Sequence, residues 1–222
     1  MFYPMNNNIF NKKFTYTYSS VCLYLVMLNV LVYFAVGHFK FSVKGVPLIY
    51  WLGLVPQMVK HGFVWQFVSY MFVHVDFTHL LFNMYALLMF GMSCERFLGS
   101  REFLLFYLVT GVLGGILSSA VNTVGGMSNV MILGASGPIY GLLFLISVLF
   151  PDSRILLFFF IPMKMPLAVM IFMLIEVLSQ VFGTSAGISH LVHLSSIAIA
   201  WIYCLVRFRI SPAKVWRESF RK

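Results

Sequence analysis

Charge is what this sequence has least of. Asp, Glu, Lys and Arg make up 9% of its 222 residues, and 61% are hydrophobic. A soluble domain of this size needs far more charge to cover its surface. The balance excludes a water-soluble enzyme or carrier and points to a multi-spanning membrane protein. Acidic groups are scarcer still: six, against fifteen basic ones, for a formal net charge of +9. Such an excess also marks nucleic-acid binders. Here, however, the basic residues sit at the ends of apolar runs and form no basic face, which is a topology signal, so no nucleic-acid partner is expected. Cysteine is nearly missing. Cys22, Cys94 and Cys204 show no CxxC spacing, which excludes a disulfide framework and leaves them as reduced packing residues. The apolar runs hold no Cys or Asp/Glu cluster around their histidines, and HExxH is missing, so neither a metal nor another cofactor is expected. Internal repeats, heptads, low-complexity tracts and a domain boundary are also lacking. A cleavable signal peptide is not expected either. The N-terminal stretch is polar and aromatic (Asn6-Asn7-Asn8, Lys12-Lys13), and no small-residue cleavage site follows the first apolar run.

What the chain has in quantity is long apolar runs. At roughly 20 apolar residues per span plus loops, its length suits one domain of about six helices. The first span reads as about Val21 to Val36. The segment from Gly37 to Phe72 is aromatic-rich and broken by Pro47, Gly53, Pro56 and Gly62. It is too irregular to span and too apolar to be a solvated loop, and Trp51 and Trp65 put it in the outer interface. Span two runs from Phe77 to Cys94, with Asp76 as its cap. Span three runs from Phe103 to Val121, where Gly111, Gly114 and Gly115 allow close helix approach. Asn122 to Ala135 returns the chain into the membrane from outside. Span four ends at Phe150-Pro151-Asp152. Ile155 to Met165 reads as an apolar lead-in to span five, Pro166 to Phe182, and span six covers Ile188 to Val206. Of the fifteen Lys and Arg, only Lys40, Lys44 and Lys60 then fall outside. That asymmetry supports six spans with both termini cytoplasmic. The expected organisation is a cytoplasmic segment at 1–20, a six-span domain at 21–208 and a basic cytoplasmic tail at 209–222.

Span four is short. Pro138 has no N–H and is tolerated best in the first turn of a helix, so the helix starts near Ser136 or Gly137. From there to Phe150 is about 14 residues, or about 21 Å, against a hydrocarbon core of about 30 Å. With its inner end anchored at Asp152 and Arg154, its outer end stops about 10 Å short of the surface. Irregular backbone at that depth must be buried in protein or face a wet cavity. This places Ser136, within Gly134-Ala135-Ser136-Gly137, at the bottom of a depression.

Polar groups inside spans are expensive and tend to be functional. Span two carries His79 and Asn83, at i and i+4 on one face. Span six carries His193. With Ser136 these lie at similar depth on three spans. A serine needs a base to become a nucleophile, and histidine takes its proton near neutral pH. The resulting oxyanion needs fixed donors, which His79, Asn83 and the Ser136 amide at a helix N-terminus can supply. No acid lies at matching depth in spans four or six, which favours a Ser–His dyad over a triad. Tyr140, one turn below Ser136, can stack on the His193 ring. Glu176 in span five is unusual. It reads either as a partner for Gln180 or a water at the outer rim, or as a group that tunes substrate entry.

Three motifs, Gly134-Ala135-Ser136-Gly137 followed by Gly141, His79-Leu80-Leu81-Phe82-Asn83, and His193, stand in the order GxSGxxxG, HxxxN and His requires. On these the chain resembles the rhomboid intramembrane serine proteases over roughly residues 20 to 208. The resemblance implies a six-transmembrane-helix all-α bundle whose short fourth helix carries the nucleophile. It implies Ser136 as nucleophile, His193 as base, and His79, Asn83 and the Ser136 amide as oxyanion hole. Tyr140, Gly134, Gly137 and Gly141 would support them, His74 would tether a loop, and Glu95 would match the acidic residue of the inner turn. The chain departs from the pattern at Ser196 and Ala200, where the family has glycines, and at Trp65-Gln66, where it has Trp-Arg. His190 leaves a second choice of base, and the resemblance favours His193. The expected activity is hydrolysis of transmembrane protein substrates from within the lipid bilayer, in a bacterial inner membrane. Two rivals are a client-binding relative without activity, and a small transporter, which would need internal repeats and charges along a path.

Overall fold

The computed structural model describes residues 14–157, 160–183 and 190–221. Lys12, Lys13, Lys222 and the expected start of span six at Ile188 lie outside the described residues. In chain order the main helices are α1 (Val21–His38), α2 (Phe77–Leu98), α3 (Ser100–Val124), α4 (Ser136–Leu149), α5 (Met165–Phe182), α6 (His190–Phe208) and α7 (Pro212–Phe220). Five of them, α1, α2, α3, α5 and α6, are long and apolar enough to cross a membrane. The helix that begins at Ser136, α4, is equally apolar but has 14 residues.

The helices are tied at their ends by polar side chains. Asp76 caps α2 by accepting from the His79 N–H at 2.8 Å. At the other end of α2, the Glu95 carboxylate accepts the first N–H groups of α1, from Val21 at 2.7 Å and Cys22 at 2.9 Å, and the Ser100 hydroxyl donates to it. An anion at a helix N-terminus satisfies unpaired donors and meets the positive end of the dipole. Arg207 on α6 grips Glu102 on α3 with two hydrogen bonds of 2.9 and 2.7 Å, and Tyr203 donates to the same carboxylate at 2.6 Å. Cys22, Cys94 and Cys204 are buried with no exposed surface.

The core is the packing of α6 against α3 and α4. It is close because small residues meet there. A Cβ on Gly114 of α3 would stand 2.2 Å from Ser196 Oγ, and one on Gly141 of α4 would stand 3.1 Å from Thr110. The glycine that Ser196 replaces on α6 is thus matched by one on α3, and the Ser196 hydroxyl donates to the Thr110 carbonyl at 3.2 Å.

The segment between α1 and α2 is folded. It has a small hairpin (Ser42–Val43 with Val46–Pro47), three helical turns (Leu48–Leu52, Pro56–Lys60, Gln66–Ser69) and a 3-10 turn at Tyr70–Phe72. Gln66, in the Trp65-Gln66 pair, is fully buried. It accepts from Val55 N at 3.1 Å and donates to Tyr50 O at 3.0 Å. Tyr70 anchors the segment to α3 through the Gly111 carbonyl at 2.7 Å. A backbone bridge between Leu54 and Ile132 joins it to the stretch that leads into α4.

Two features differ from the sequence reading. The lead-in before α5 is an antiparallel hairpin, Arg154–Leu157 with Ile161–Lys164. A short continuous apolar run does not tell strand from helix, and Pro162 removes a helical donor. Within the basic tail, α7 docks beneath α4. Trp216 packs on Phe144 and Trp201 at centroid distances of 5.5 and 5.9 Å, and Lys164 Nζ donates to the Ser219 carbonyl at 2.6 Å.

Candidate active site

The chain enters the site at Gly134, with φ +102°, a conformation that favours glycine. A Cβ there would stand 2.8 Å from His79 Nε2 and 3.4 Å from Asn83 Nδ2, both on α2. Its N–H donates to the Tyr70 carbonyl at 2.9 Å. The next N–H, of Ala135, faces His74 Nε2 at 3.5 Å. Helix α4 then opens on Ser136. Pro138 falls in the first turn, where a backbone N–H has no intrahelical partner. Gly137 lets α6 come close, since a Cβ there would lie 3.1 Å from Ser196 Oγ.

His193 of α6 is buried, and its Nε2 stands 2.7 Å from Ser136 Oγ. The Tyr140 ring lies flat on the imidazole, with centroids 4.3 Å apart and planes at 9°. On the α2 side, Asn83 Nδ2 is 2.9 Å from His74 Nε2, and the His74 and His79 rings meet edge-on at 4.9 Å. His74, in the loop before α2, is fully buried. Burial, and then the neighbouring His79, push its pKa down to about 4, so it is neutral at physiological pH. The structure thus gathers Ser136, His193, Tyr140, Gly134, His79 and Asn83 around the start of α4. Gly141 lies deeper, against Thr110 of α3.

Glu176 arrives from α5, a helix where the sequence offered it no such partners. It is 5% exposed. Tyr140 donates its hydroxyl to Oε1. Oε2 lies 2.6 Å from His190 Nδ1 and 3.1 Å from His193 Nδ1. The first contact is a hydrogen bond. The second is within ion-pair distance but off hydrogen-bond alignment. Gln180, the partner the sequence suggested, is exposed. The signal for this site was the lone carboxylate in an apolar span; which helix it would face was not readable.

Glu176, His190 and His193 are residue types that hold metals, and their ligand-type atoms lie within 4.8 Å of one another. Donor atoms bonded to one zinc at about 2.0–2.1 Å stand more than about 3 Å apart around a tetrahedron. The 2.6 Å separation is that of a hydrogen bond. Chemically, the assembly offers a hydroxyl on an imidazole, an anion behind that imidazole, and amide and imidazole groups beside the hydroxyl.

A family model for the Rhomboid domain matches residues 61–210. The rhomboid-type protein YdcA of Bacillus subtilis is 33% identical over 138 residues, 60% of this chain and 67% of that protein. The rhomboid protease GluP of the same species is 31% identical over 133 residues, 60% of this chain and 24% of GluP. The rhomboid protease AarA of Providencia stuartii is 34% identical over 103 residues, 46% of this chain and 36% of AarA.

Proposed function

The chain belongs to the rhomboid family of serine intramembrane proteases, which are hydrolases, and on that premise we propose that it is an endopeptidase with Ser136 as nucleophile and His193 as base. The observation that carries this reading is the 2.7 Å contact between Ser136 Oγ and His193 Nε2. In the first step Oγ attacks the scissile carbonyl carbon and its proton passes to Nε2. The carbonyl oxygen becomes an oxyanion, held by the Ser136 N–H and by side-chain donors of His79 and Asn83. The imidazolium then gives its proton to the leaving amine. A water, deprotonated by the same imidazole, attacks the acyl carbon, and the imidazolium returns the proton to Ser136 Oγ as the Oγ–C bond breaks and the acid leaves. Tyr140 keeps the ring in plane throughout, and no step calls for a metal.

The five long helices and α4 together form the six-span unit of this reading, residues 21–208, in a bacterial inner membrane with both termini cytoplasmic. The Lys and Arg distribution supports that orientation. Substrates are single-span membrane proteins, cut near the outer face of their transmembrane segments. The cut segment carries helix-destabilising residues, because an extended strand has to reach Ser136. The test is cleavage of a single-span model substrate by the purified protein in detergent. Ser136→Ala and His193→Ala each lose at least about 10³-fold in rate, and EDTA leaves cleavage intact. A Ser136→Ala variant that cuts at the wild-type rate overturns the reading.

A further inference from the structure

We propose that Glu176 is a positioning residue for the base: from α5, its carboxylate holds the His193 ring with the proton on Nδ1 and stabilises the imidazolium formed during attack. The proposal rests on the reading of Ser136 and His193 as nucleophile and base.

The geometry leads there in three steps. Nε2 of His193 faces Ser136 Oγ at 2.7 Å. To accept that proton, Nε2 must be bare, so in the neutral ring Nδ1 carries the hydrogen. Nδ1 is buried with no aligned partner, and the acceptor beside it is Glu176 Oε2 at 3.1 Å. At that distance a hydrogen bond needs only the alignment that the ring now lacks. The carboxylate itself is well held. Tyr140 donates to Oε1 and His190 Nδ1 stands 2.6 Å from Oε2, which compensates in part for burying a charge in a span. Tyr140 also stacks on His193, so one residue fixes both the base and the anion that steers it.

The proton balance is simple. Ser136 Oγ–H breaks, N–H forms at His193 Nε2, and Glu176 stays ionised, opposing the new positive charge without taking a proton. Among the described residues, the groups that face His193 are Ser136 and Tyr140 from α4, Glu176 from α5, His190 from its own helix and His79 from α2, which is within electrostatic reach.

A fluorophosphonate that labels Ser136 reads activation of the nucleophile without a protein substrate, and so apart from substrate entry. The measurement is the labelling rate against pH for the full chain in detergent. With Glu176→Gln the rate falls at least about tenfold, and the acid limb, which marks protonation of His193, moves down by about one pH unit because the anion that favoured imidazolium is gone. Glu176→Asp keeps the limb near its wild-type position. His190→Phe removes the competing donor from Oε2 and moves the limb up, which keeps the proposal testable if Glu176→Gln does not fold. An unchanged rate and limb in Glu176→Gln, a lower rate with an unmoved limb, an Asp variant no better than the Gln variant, or a limb that stays put or falls in His190→Phe each overturn it. Ser136→Ala separates the two readings. If it is still labelled, the nucleophile assignment fails. If it is unlabelled while Glu176→Gln behaves as wild type, only the role of Glu176 fails.

Discussion

His74 shows how much one neutral side chain holds. It reaches Asn83 on α2 at 2.9 Å and the Ala135 N–H at 3.5 Å, just before Ser136. Its pKa drops from 6.5 to about 4 because burial, chiefly, disfavours the charged ring. Between those values the unfolded chain binds a proton that the folded one does not, so stability falls as pH is lowered through this window. The thermal unfolding midpoint in detergent is therefore expected to decline from pH 6.5 toward 4. His74→Gln, which does not titrate, should flatten that decline; an equally steep one counts against the assignment. Ser136, His79, Asn83 and His193 were legible in the sequence because each is a polar group in an apolar run. Glu176 was equally visible, but its partners were not. Which way a side chain points from an 18-residue helix depends on how that helix is tilted and rotated, and nothing in its own sequence states that.

At the scale of helices, the crossing of α3 and α6 decides whether Ser136 and His193 can meet at all, since His193 rides on α6. Gly114 has the space of a hydrogen there: a Cβ would lie 2.2 Å from Ser196 Oγ and 3.1 Å from its Cα. Gly114→Val should destabilise the fold by about 1–3 kcal/mol through overpacking and reduce activity with it. Ser196→Gly in the same chain should restore part of the loss, because the nearest clash is with the hydroxyl. Unchanged thermal unfolding in Gly114→Val removes this account. The sequence flagged Ser196 and Ala200 as departures at this interface, but not that the missing space is supplied by the opposite helix. The extent of α4 was easier to read, because Pro138 and Asp152 bracket it. The hairpin at Arg154–Lys164 was not, because a short apolar run carries no period that favours one structure over the other.

Across the whole molecule the two ends are built differently. The end opposite Ser136 is locked by ionised groups: Glu95 on the start of α1, Arg207 on Glu102, and Lys164 on the α7 carbonyl of Ser219. The end that bears Ser136 is held by the Asp76 cap on α2, the Glu176 carboxylate, a stacked ring and the folded segment before α2. The three cysteines, all without exposed surface, give the chain a silent background for thiol chemistry. A membrane-impermeant maleimide finds nothing to modify in the wild-type protein, so any cysteine placed on its surface reports alone on its own compartment. Lys44→Cys, on an exposed turn before α2, should label in intact cells, and Lys214→Cys, exposed on α7, only once the membrane is opened. The opposite pattern would turn the molecule over in its membrane, and with it the face from which substrates are cut.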